Sequence, residues 1–99
     1  MPRTTAADKF HYTYVLESLK DHKRYAGYTV NLRKRLREHN QGKSFSTAPR
    51  LPFKLIYCEV CLNEEDAKRR EHFLKQTKGR RFITKRLKSY YASKNNVKF

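Results

Sequence analysis

The chain is short, 99 residues, and strongly basic: 24 Lys and Arg against nine Asp and Glu give a formal net charge of +15. That length suits one domain, and an excess of like charge in so small a body calls for an anionic partner, of which nucleic acid is the commonest. The sequence nowhere approaches the about 20 consecutive apolar residues of a membrane span, and Met1 to Asp8 lack the apolar run of a signal peptide, so the chain reads as cytoplasmic, with no membrane partner.

Residues 1–9 are small, polar and aperiodic, and read as a flexible tail. From His11 to Ser18 the pattern alternates: Tyr12, Tyr14 and Leu16 share one face, and His11, Thr13, Val15 and Glu17 the other, which predicts a strand. Leu19 to His22 is a connection of hairpin length, and Arg24 to Thr29 is the expected antiparallel partner, with Gly27 marking a close backbone approach. Asn31 can cap a helix running to about Asn40, with Gly42 as its stop signal. The inward stripe of that helix holds Leu32 and Leu36, and helical spacing puts Arg35 and His39 on the same stripe. A guanidinium and an imidazole thus stand where an ordinary helix places core.

Gln41 to Pro52 reads as a loop, in which Lys43, Ser44, Ser46, Thr47 and Arg50 are candidate phosphate contacts. Phe53 to Val60 predicts a third strand, with Phe53, Leu55 and Tyr57 alternating against Ile56, Cys58 and Val60. Asn63 caps a second helix whose first turn carries Glu64, Glu65 and Asp66, favourable at the positive end of the helix dipole. Its inward stripe reads Ala67, Glu71 and Leu74, so Glu71 is an acid between apolar positions. Gly79 is expected to break the chain before a third amphipathic helix from Arg81 to Tyr91, and 92–99 read as a second flexible tail. The fold class is therefore α/β of the mixed α+β kind. A small three-stranded sheet, its first two strands an antiparallel hairpin, is flanked by three helices in one domain over 10–91.

Cys58 and Cys61 form one C-x-x-C without a second pair; His39 and His72 could complete a zinc site, but the favoured reading is two partly buried thiols in a reducing compartment. The off-pattern residues suit a different chemistry. Hydrolysis of a phosphodiester needs a group to deprotonate water, a cation to neutralise the phosphate, and a Lewis acid. A guanidinium donates two parallel hydrogen bonds to phosphate, and a lone inward carboxylate can hold a hard divalent ion that keeps its waters. With Glu71 as the one off-pattern acid, a one-metal scheme fits better than a two-metal one.

Tyr12-Thr13-Tyr14, followed eleven residues after Tyr14 by Tyr25-Ala26-Gly27, resembles the paired elements of the GIY-YIG nuclease superfamily, in its small stand-alone bacterial form, over residues 11–91. Tyr12 replaces the first Gly and Ala26 the Ile. Arg35, ten residues after Tyr25, falls where that family places its catalytic arginine, His39 where members carry His or Tyr, and Glu71 where the metal-binding glutamate stands. Lys85 stands where many members carry a supporting Asn. The resemblance implies a DNA endonuclease, of repair-like use by analogy, with Tyr14, Tyr25, Arg35, His39 and Glu71 as the catalytic set. Glu71 would hold one Mg²⁺ or Mn²⁺. The competing expectation is a nucleic-acid-binding protein without catalysis on the same fold, for which Lys85 is the best argument. If the catalytic reading holds, the five side chains line one pocket, with the cysteines away from it. Lys85 then decides whether a lysine amine competes for Glu71.

Overall fold

A computed structural model describes residues 9–96, so both outer tails lie outside the described residues except 92–96 and Lys9. Three strands, β1 (His11–Ser18), β2 (Arg24–Thr29) and β3 (Phe53–Cys61), form an antiparallel sheet in the order β2-β1-β3. Four helices accompany it: α1 (Leu32–Asn40), α2 (Glu64–Leu74), α3 (Thr77–Arg86) and α4 (Lys88–Asn96), with a 3-10 turn at Ala48–Arg50. The mixed α+β class and the leading hairpin are as the sequence predicts; the described residues hold four helices rather than the three expected.

As the central strand, β1 is covered on both faces, and Thr13 to Ser18 are all buried. Side chains alternate across a strand. Tyr14 and Leu16 join Phe53 in one core, closed by Leu32 and Leu36 of α1. Val15 joins Leu74 and Ile83 in a second core on the other face, closed by α2 and α3. Glu17 follows Val15 into that second face and is buried, so Glu71 is not the sole acid departing from the pattern.

The alternation expected of the third strand fails at one point. Val15 faces Tyr57 but Leu16 faces Leu55, leaving Ile56 as an extra residue. This bulge turns over the strand beyond it. Cys58, not Tyr57, therefore joins Phe53 and Leu55 against the Tyr14 core, while Ile56 and Tyr57 pack with Val15.

Both asparagine caps form. The Asn31 side chain accepts from the Lys34 N–H at 3.1 Å, and that of Asn63 from the Asp66 N–H at 3.1 Å. Gly42, at φ 76°, follows the C-cap of α1 in the left-handed conformation that ends helices.

Gly79 does not break the chain; it lies buried inside α3. A Cβ at Gly79 would stand 2.0 Å from the Phe73 carbonyl oxygen and 2.5 Å from the Leu74 Cα. The glycine is there so that α3 can approach the backbone of α2. The break comes earlier, where Lys75 caps α2 and Arg80 donates to its carbonyl at 3.0 Å. The helix expected over 81–91 is two helices, which part at Leu87. The turn brings Tyr90, Tyr91 and Lys94 onto the Glu17 carboxylate at 2.7, 3.0 and 2.8 Å.

Candidate active site

Tyr14 is the centre from which the site can be built. Its Cα partner on β2 is Gly27. A Cβ at Gly27 would lie 2.3 Å from the Tyr14 hydroxyl and 2.4 Å from its Cζ. The missing side chain on this edge strand is thus what lets the phenol lie across β2.

His39, completely buried on the last turn of α1, meets that phenol with its Nε2 at 2.9 Å. Its Nδ1 lies 2.8 Å from the Thr47 hydroxyl. Thr47 is itself fully buried and donates to the Ser44 carbonyl at 3.5 Å, so it accepts from the imidazole. This network assigns the proton to Nδ1 and leaves the Nε2 lone pair for the Tyr14 O–H. Burial, helped by the Arg35 charge, lowers the His39 pKa below the ordinary 6.5, so the ring is neutral at pH 7. Burial likewise pushes the Tyr14 phenol up to about 12, with the Tyr25 phenol and the Glu71 carboxylate adding to it and the neighbouring Arg35 guanidinium pulling it down.

Tyr25 packs edge-on against the His39 ring, centroids 5.3 Å apart. Arg35 is partly exposed and bonds Glu38 at 3.2 Å. Burial opposes its charge, but Tyr14 and Glu38 outweigh that and raise its pKa, keeping it cationic.

Glu71 comes from the opposite layer, since α2 covers the Val15 face while α1 covers the Tyr14 face. The two meet around the β2 edge. Lys75, one turn beyond Glu71, binds its carboxylate at 3.1 Å and places its ammonium 5.9 Å from the centre of the Tyr25 ring. A cleft of about 220 Å³ opens beside them, lined among others by Arg24, Tyr25, Lys75 and Arg80. Tyr14, Tyr25, Arg35 and His39 lie together and the Glu71 charge acts on the Tyr14 phenol, but of the five side chains expected to line one pocket only Tyr25 lines this cleft.

Lys85 takes no part in this. It is exposed and, with Arg81, lines an adjoining concavity that shares Arg24 and Arg80 with the cleft. The lysine on Glu71 is Lys75, which the sequence alone does not single out. Nor does Arg35 pair with Glu71; its carboxylate is Glu38.

Of the loop residues expected at phosphate, Ser44 and Thr47 are buried and spend their hydroxyls inside the protein. Arg50 is held by Asp21 at 3.0 Å and stacks over Phe53. Lys43 and Ser46 are the exposed ones. Both cysteines are free and half-buried. Cys58 packs against the core containing Tyr14, nearer than expected, and its burial raises the thiol pKa.

No group of three or more His, Cys, Asp or Glu side chains that could hold a metal occurs among the described residues. A single carboxylate at an open edge fits only a hard cation that retains most of its water shell. No helix among the described residues is long and apolar enough to cross a membrane.

Residues 10–87 match the GIY-YIG catalytic domain. A UPF0213 protein of Bacillus licheniformis is 46% identical over 67 residues, 67% of this chain and 68% of that one. A UPF0213 protein of Streptococcus pneumoniae is 46% identical over 68 residues, covering 68% of each chain. The solution NMR structure of the UPF0213 protein BH0048 from Bacillus halodurans is 32% identical, with a TM-score of 0.49, and the similarity covers 77% of this chain and 83% of that one. The domain match spans Tyr14, Tyr25, Arg35, His39 and Glu71 alike, and the chain belongs to the GIY-YIG catalytic domain family, whose members are generally endonucleases.

Proposed function

We propose that this protein is a metal-dependent endonuclease that hydrolyses phosphodiester bonds of DNA in the cytoplasm, in repair-related cleavage. The observation that carries the reading is the buried Tyr14–His39 pair, with Tyr25 packed on the imidazole and the Arg35 and Glu71 charges acting on the Tyr14 phenol.

Each group has a task. The neutral His39 accepts the Tyr14 proton at Nε2 while the Tyr14 oxygen takes one from the attacking water. This relay asks no free phenolate of a tyrosine whose pKa is pushed up to about 12. Tyr25, packed on the same imidazole, orients the water. Arg35 neutralises charge on a non-bridging oxygen, which its planar fork suits. Glu71 would hold one Mg²⁺ or Mn²⁺, an ion that supplies Lewis acidity at the phosphate when bound. Lys75 has to leave Glu71 for that to happen, and a phosphate oxygen is the natural alternative partner for its ammonium. Lys43 and Ser46 flank the site as backbone contacts.

The Glu71–Lys75 pair also favours a second reading, a DNA-binding protein without catalysis in which the carboxylate stays occupied. Supercoiled plasmid separates the two. The nuclease gives nicked product with Mg²⁺ or Mn²⁺ and none with a chelator; the binder retards the plasmid and leaves it closed under both conditions.

A further inference from the structure

Phe45 is 96% exposed, while the other exposed large apolar side chains among the described residues lie between 43% and 58%. It does not sit on a loose loop. The Lys43 N–H donates to the Glu38 carbonyl at 3.0 Å, and the Thr47 and Ala48 N–H groups donate to the Ser44 carbonyl at 3.2 and 2.9 Å. Ser44 and Thr47, on either side, are buried. The turn is fixed by its neighbours, and Phe45 gains no contact from it.

The place of this ring matters. The turn begins on Glu38, whose carboxylate holds Arg35, and ends on Thr47, which holds His39. Phe45 is two residues from Thr47, so their Cα atoms lie within about 7.6 Å, roughly two base-pair rises. Its flanks are Lys43 and Ser46, and residues 41–50 contain no acid. A flat apolar ring beside a lysine and a serine, on a turn hydrogen-bonded to the helix that carries Arg35 and His39, matches a nucleobase followed by its phosphate, since every base offers a π-face.

An uninterrupted duplex offers no such face, because its bases are stacked on one another. We infer that Phe45 stacks on an unpaired base of bound DNA. The stacking does not rest on the nuclease reading.

The test is binding in chelator, so that nothing is cut, to a duplex carrying 2-aminopurine unpaired in a bulge, compared with the fully paired duplex of the same sequence. The full chain should bind the bulged DNA roughly tenfold more tightly than the paired one and change the probe's fluorescence. Phe45→Ala should lose that preference while binding paired duplex as before, and Phe45→Tyr should keep it. An unchanged preference in Phe45→Ala overturns the inference. So does loss of a dimer in sedimentation by that variant with DNA binding intact, which would make the ring a contact between copies. Cutting is read separately. A Phe45-dependent preference in a protein that cuts nothing keeps the stacking and removes the nuclease. Cutting by a protein whose preference is unchanged in Phe45→Ala does the reverse.

Discussion

Thr47 shows how a residue with no chemistry of its own can govern one that has it. Its hydroxyl fixes which nitrogen of His39 faces Tyr14. Because the His39 pKa is lowered by burial, catalysis should rise with pH along an acid limb centred below 6.5, as the ring loses its proton, and level off by neutrality. Thr47→Val should lower the nicking rate on the order of tenfold to a hundredfold. It should also move the acid limb to still lower pH, since the imidazolium loses its Nδ1 acceptor. Thr47→Ser should restore both. A pH–rate profile for the three proteins checks this; a threonine needed only for packing would leave the limb in place. Lys75 acts in the other direction. Held 3.1 Å from Glu71, it competes with a cation. Lys75→Met should lower the Mg²⁺ concentration needed for half-maximal nicking, even if the maximal rate falls with a phosphate contact, and a Mg²⁺ titration reads both. None of this could be seen in the sequence, where Thr47 is one polar loop residue among several and Lys75 one lysine among many. His39, Arg35 and Glu71 were legible because each breaks a helical stripe that should have been apolar.

At the scale of elements, β1, β2 and α1 were legible to the residue, because alternation, an Asn cap and a left-handed Gly each leave a local mark. The bulge at Ile56 left none: a slip of one residue in an apolar strand looks like the strand. Gly79 was misleading because a glycine that ends a helix and one that admits a neighbouring backbone are the same letter. The Glu17 clamp was hidden for a similar reason, being a polar residue in a polar place of an alternating strand until α4 covers it. Burial alone would raise the Glu17 pKa, but bonds from Lys94, Tyr90 and Tyr91 outweigh it and lower the pKa below its ordinary 4.5. A depressed carboxylate contributes stability that is fully present above its unfolded pKa and is lost as pH falls through the folded one. Glu17→Gln should therefore cost about 2–3 kcal/mol at pH 7 and progressively less below pH 4.5. Urea unfolding across that range measures it; an equal loss at every pH would mean that the charge is not what holds α4.

For the whole molecule, the +15 charge was the plainest feature of the sequence and gives the plainest expectation. A body that neutralises about six phosphates should lose about a thousandfold in DNA affinity between 50 and 200 mM salt. Titration at several salt concentrations checks the slope, and a flat response would assign the charge to something other than a phosphate backbone. Charge explains binding, but it does not explain cutting. The claim that joins the two is that Glu71, from the layer opposite Tyr14, reaches round the β2 edge to complete a hydrolytic site. The direct measurement is nicking of supercoiled plasmid in Mg²⁺ by the native chain and by Glu71→Gln, with DNA affinity and thermal unfolding measured on the same preparations. The account predicts a Glu71→Gln protein that folds and binds DNA as the native chain does and leaves the plasmid closed; nicking by that variant at the native rate would contradict it.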